Sequence, residues 1–94
     1  MKEWLMSKIA FTDEAWADYA YWQTQDRKTL RRINALINDI KRNPYDGIGK
    51  PEPLSGNLSE CWSRRIDDKN RLVYRVVNDD VEFLGCRMHY GLED

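Results

Sequence analysis

An α+β fold in the order β-α-α-β-β-β, with two helices packed on one face of a curved antiparallel sheet, follows from three features of the sequence. Apolar residues recur at helical spacing in the first half, period-two alternation runs through the last third, and a Pro/Gly-rich stretch divides the two. Residues 8–11 are short and apolar enough for a first strand. Thr12 then stands where a helix N-cap belongs, with Asp13 and Glu14 complementing the helix dipole. Trp16, Tyr19, Ala20 and Gln23 share a helical stripe, so this helix is expected to run to about residue 23 with Trp16 and Tyr19 in the core.

Asp26 caps a second helix, in which Leu30, Ile33, Leu36, Ile37 and Ile40 form the apolar stripe. Arg27, Arg31, Arg32, Asn34, Asn38 and Lys41 fill its other face, and Asn43-Pro44 stops it. Residues 44–57 hold all three prolines and three of the five glycines, which predicts a loop. Ordered loops of this length tend to carry function, and Lys50 and Glu52 stand between Gly49, Pro51 and Pro53 with few backbone conformations open to them.

Strands are expected over 61–67, 71–78 and 81–89. Keeping Ile66 on one face with Leu72, Tyr74 and Val76 requires an odd number of connecting residues, most simply 68–70, so that Asp67 faces Arg71. The same demand on Leu84, Cys86 and Met88 gives a second turn at 78–80; a two-residue turn is the alternative and breaks the grouping. The apolar face is then Trp62, Ile66, Leu72, Tyr74, Val76, Leu84, Cys86 and Met88. The opposite face gathers Ser63, Arg65, Arg71, Val73, Arg75, Phe83, Arg87 and His89. Arg64 and Arg65 alternate across a strand, so at most one of them shares the face with Arg71 and the other is expected as a rim charge. Arg71 could serve as the cross-hairpin partner of Asp67 or Asp68, and Tyr45 and Phe83 are the candidates for exposed stacking surfaces.

Ninety-four residues make one domain, read as residues 7–94 behind an N-terminal extension at 1–6. A chain of this size buries only about 60–65% of its unfolded surface, which favours a shallow site acting on a large partner over a deep private pocket. No run approaches a membrane span and no leader pattern is visible, so a cytoplasmic protein without membrane contact is expected. Cys61 and Cys86 lack metal-ligand spacing and read as reduced, small apolar residues; no metal or cofactor is implied. The net charge of −1 conceals a segregation: residues 27–75 carry twelve Lys/Arg against six Asp/Glu, while the two ends carry three against ten. A basic middle of this kind suits a polyanion.

Several motifs in order complete the reading. Trp16 with Tyr19-x-x-Trp22-Gln23, Ile33-Asn34, Leu36-Ile37 and Gly49-Lys50-Pro51-Glu52-Pro53-Leu54 are followed by Asn57-Leu58-Ser59 and Trp62-Ser63-Arg64-Arg65-Ile66. Arg71-Leu72-Val73-Tyr74 and Cys86-Arg87-x-His89-Tyr90 close the series. Over about residues 9–90 this pattern resembles the YoeB toxins, within the wider RelE-like class. The resemblance implies a ribosome-dependent mRNA endoribonuclease that cuts the A-site codon by metal-free transfer to the RNA's own 2′-OH.

It assigns Glu52 as general base, His89 as general acid, Arg71 and Arg65 to the phosphate, and Tyr90 to substrate positioning. Lys50, Arg64 and Arg87 are the further RNA contacts expected. It also implies a YefM-type antitoxin as inhibitor and operator DNA as a ligand of the antitoxin complex, and it leaves room for a homodimer. Gly91-Leu92-Glu93-Asp94 extends past the His-Tyr pair at which relatives often end, adding two acids beside the implied site. Two other readings stay open: a non-catalytic antitoxin-binding module, and a ribosome-independent ribonuclease.

Overall fold

In the computed structural model, which describes residues 8–88, two side-chain caps start the two helices. The Thr12 hydroxyl accepts from the Ala15 amide at 3.1 Å and opens α1 (Asp13–Gln25). The Asp26 carboxylate accepts from the Lys28 and Thr29 amides and opens α2 (Arg27–Arg42). Asp26 also closes α1 by donating its own amide to the Trp22 carbonyl, so a single residue turns one helix into the next. The first helix therefore runs past residue 23 to Gln25.

Ile33, Leu36, Ile37 and Ile40 of α2 are buried as the spacing predicts, with Leu30 packed against them. The buried side of α1 differs from the expected stripe: Ala15 and Trp22 are inside, whereas Trp16 is 56% exposed. Two hydrogen bonds fix this rotation. Trp22 Nε1 donates to the Cys86 carbonyl at 2.9 Å, and the Asp18 carboxylate accepts from the Cys86 amide at 3.0 Å. Trp16 consequently lies outside, edge-on to Phe11.

The sheet has the order β1-β5-β4-β3-β2, from β1 (Ile9–Phe11), β2 (Glu52–Pro53), β3 (Trp62–Arg65), β4 (Arg71–Val77) and β5 (Asp80–Met88). The α+β class and the two helices stand, but the sheet is mixed rather than wholly antiparallel, because β1 runs parallel to β5. The short β2 is an additional strand inside the segment read as loop, pairing with β3. Pro53 has no amide to offer, and pairing continues through the Leu54 amide to the Cys61 carbonyl at 2.9 Å.

The first hairpin pairs Arg65 with Arg71, so its connection is 66–70, five residues instead of three. The number remains odd, so the predicted faces survive: Trp62, Leu72 and Tyr74 on one, Ser63, Arg65, Arg71 and Val73 on the other. The second hairpin corrects the reading. Val77 pairs with Asp80 across a two-residue turn, made possible by Asn78 at φ +59°. Phe83 therefore faces Tyr74 and is fully buried, which removes it as a stacking surface, while Leu84 turns outward. Register shifts between Tyr74, Val73 and Arg71 then restore Cys86 to the core. Both cysteines are buried and unbridged, and burial, with Asp18 adding to it, pushes the Cys86 thiol up to about 12.

Candidate active site

Side chains opposite one another on paired strands share a face. Glu52 stands opposite Ser63, and Ser63 opposite Val73. Two residues along, Arg65 stands opposite Arg71. Glu52, Arg65 and Arg71 therefore share one sheet face in adjacent rows, roughly 7 Å apart along the strands, while Leu72 and Tyr74 between them join the helix-covered core.

Arg65 is held by its backbone, and its side chain has no ion-pair partner among the described residues. Its amide donates to the Gly49 carbonyl at 2.6 Å, and its carbonyl accepts from Arg32 at 3.2 Å. The guanidinium is exposed. Arg71 is the reverse case, only 5% exposed, with its NH1 nitrogen buried and lacking any hydrogen-bond partner among the described residues. Asp67, the competing partner considered for Arg71, is occupied by its own turn. It accepts from the Lys69 and Asn70 amides at 2.8 and 2.7 Å and from the Asn70 side chain. Burial pushes its pKa up, but the Asn70 and Lys69 amides outweigh this and hold it below the ordinary carboxylate value.

A face carrying one exposed and one buried guanidinium, with no carboxylate paired to either among the described residues, is chemically an anion site. Glu52, exposed in the next row, adds a group able to accept a proton. Lys50, exposed at φ +53°, lies at the entry to β2. Arg87 is exposed and stacks its guanidinium 3.6 Å over the Tyr21 ring. Tyr45 is 41% exposed and packs its ring 5.0 Å from Trp62. His89 and Tyr90 lie outside the described residues.

Arg64 is not a rim residue, and the expectation of an RNA contact there is corrected. It is fully buried and donates to Tyr74, Asp39 and the carbonyls of Ile48, Asn43 and Asp46. The signal was present in the alternation: Arg64 lies between Trp62 and Ile66 on the core face. Its partner Asp39 experiences burial that raises its pKa, yet the Arg64 hydrogen bond and the Ile48 amide lower it further, to below the ordinary value. A second feature not read from the sequence is a hollow of about 270 Å³ bordered by Asn57, Ser59, Cys61, Arg75 and Leu84. Arg75 is tied there to Glu82 at 2.7 Å, which holds its guanidinium above the usual value.

The sequence pattern of the YoeB-like toxins of bacterial type II toxin–antitoxin systems matches residues 11–90. The chain belongs to this toxin family. A YoeB toxin of Mycobacterium bovis is 55% identical over 85 residues, covering 90% of this chain and all of the relative. The YoeB dimer from Staphylococcus aureus superimposes with a TM-score of 0.82 at 43% identity, over 88% of this chain and 97% of that one. The YoeB–YefM complex from the same organism gives 0.81 at 42% identity, over 87% and 95%. This YoeB-like toxin thus shares both sequence and fold with relatives across nearly its whole length. Among the described residues no helix is long and apolar enough to cross a membrane.

Proposed function

We propose that this YoeB-like toxin is a ribosome-dependent mRNA endoribonuclease that cuts the codon in the ribosomal A site. The observation that carries the reading is the opposition of Arg65 and Arg71 one row from Glu52, with a buried guanidinium nitrogen of Arg71 unpartnered among the described residues. Attack of the RNA's 2′-OH on the adjacent phosphorus forms the P–O2′ bond and breaks the P–O5′ bond, leaving a cyclic phosphate and a 5′-OH. The reaction uses no metal in this reading. Glu52 takes the 2′-OH proton, and His89 gives a proton to the leaving 5′-oxygen. Arg71 and Arg65 meet the charge gathered on the phosphorane, which is greater than in the bound substrate, so their stabilisation favours the transition state. Tyr90 positions the substrate, and Lys50 and Arg87 contact RNA.

A YefM-type antitoxin neutralises the toxin in this scheme, as the S. aureus YoeB–YefM complex suggests by its composition. The complex with antitoxin binds operator DNA, and the free toxin pairs as a homodimer, a state for which the S. aureus YoeB dimer is the precedent. The cell is the first test. Induced expression should arrest growth, and His89→Ala or Arg71→Ala should relieve the arrest while the purified variants keep wild-type circular dichroism. Full toxicity of both variants would overturn the catalytic assignment.

A further inference from the structure

We infer that Arg64, working with Asp39, is a positioning residue that sets the loop carrying Lys50 and Glu52; the inference rests on the proposed role of Glu52. The connection between α2 and β2 has almost no regular structure of its own, so its carbonyls need partners from elsewhere. One side chain supplies three of them. Arg64 NH1 donates to the Ile48 carbonyl at 2.8 Å, and NH2 donates to the carbonyls of Asn43 at 2.9 Å and Asp46 at 3.4 Å. The remaining donors go to Asp39 Oδ2 at 2.7 Å and, through Nε, to the Tyr74 hydroxyl at 3.0 Å.

The second tier closes around the same centre. Tyr74 donates to the Pro44 carbonyl at 2.6 Å, and Asp39 Oδ2 also accepts from the Ile48 amide at 3.0 Å. A Cβ at Gly47 would stand 1.9 Å from Asp39 Oδ2, so this loop is seated only because position 47 is glycine. Gly49 is fitted just as closely, against Leu36 and Arg64, and it receives the Arg65 amide. From that anchored point the chain passes through Lys50 at φ +53° and Pro51 into Glu52 at the start of β2.

All five guanidinium N–H groups are thus committed inside the protein, which leaves none for RNA. A planar, five-donor fork is required here; a lysine offers three donors from a point charge and cannot span the same carbonyls. Buried ion pairs are often poor sources of stability, and their better-attested use is to specify one geometry. The two arginines of Trp62-Ser63-Arg64-Arg65 therefore divide the work: the outward one faces the anion, and the inward one fixes where the carboxylate stands.

The test compares wild type, Arg64→Lys, Asp39→Asn and Glu52→Gln on ribosomes programmed with a defined A-site codon, at a temperature where each is folded by circular dichroism. Hydrogen exchange at the Ile48 and Arg65 amides is measured in parallel. Arg64→Lys should lower kcat by roughly 100-fold, the scale of an ångström-sized misplacement, with KM within about threefold and faster exchange at both amides. Should Arg64→Lys fail to fold, Asp39→Asn, which keeps the side-chain shape, decides by the same readouts. Wild-type kcat in a folded variant whose loop amides have lost protection overturns the inference. If wild type itself does not cleave, or Glu52→Gln cleaves as well as wild type, the proposed function fails. Exchange then judges the positioning alone, and unchanged protection in Arg64→Lys overturns it.

Discussion

Arg65 and Arg71 face each other directly across β3 and β4, and no carboxylate among the described residues pairs with either. Like charges in opposed strand positions destabilise a sheet, and the buried NH1 of Arg71 adds a desolvation cost. The fold carries this arrangement at the expense of its own stability, which is expected where an anion is to be met. Arg71→Met should therefore leave the domain as stable as wild type or more so, by up to about 1–3 kcal/mol. Cleavage should be lost at the same time. Urea denaturation followed by tryptophan fluorescence, with m unchanged, checks the first half, and a marked fall in stability would contradict it.

Binding of an RNA whose scissile nucleotide lacks the 2′-OH should raise the melting temperature of wild type in a concentration-dependent way. The shift should shrink with added salt as phosphate contacts are screened. In Arg71→Met it should be much smaller. Thermal melts over a ligand series measure this, and equal shifts in the two proteins would remove Arg71 from the anion site.

Asp39 has its folded pKa below the ordinary value of 3.8. Its ionised form therefore contributes stability that is fully present above that value and lost as pH falls through the lower, folded pKa. Asp67 is shifted in the same direction and contributes in the same window, so wild type and Asp39→Asn must be compared as a difference. The stability advantage of wild type over Asp39→Asn should be constant near neutrality and should shrink below about pH 4. Denaturant titrations between neutral and strongly acid pH test this; an advantage that grows on acidification would have the wrong sign.

The two tryptophans of α1 should respond in opposite ways to the usual sequence expectation. Trp16→Ser removes an exposed ring and should cost under about 1 kcal/mol. Trp22→Phe deletes the donor to the Cys86 carbonyl in a buried position and should cost about 1–3 kcal/mol. Equal costs would contradict the helix rotation described above.

The helices were legible because their determinants are local: Thr12 and Asp26 reach amides two or three residues away, and the α2 stripe repeats four times. The rotation of α1 was hidden because it is set by Asp18 and Trp22 acting on Cys86, more than sixty residues distant. In the sheet, parity survived an error in loop length at the first hairpin. It failed at the second, since Phe83 and Leu84 are both apolar and only the left-handed Asn78 decides between them. The shared face of Arg65 and Arg71 could be read from alternation, whereas the neighbouring Glu52 could be joined to it only once β2 was seen to pair with β3. Arg64 was misread because a charged side chain suggests the surface, even at a position whose alternation points inward.

The central claim is ribosome-dependent cleavage, and mapping of RNA 5′ ends tests it most directly. Purified toxin is added to a defined mRNA in two arms, one with ribosomes stalled at a known codon and one with naked RNA. Cuts confined to the A-site codon, present only with ribosomes and absent with Arg71→Ala, are predicted. Cleavage of naked RNA at the same rate, or no A-site cut by the wild-type protein, would contradict the account.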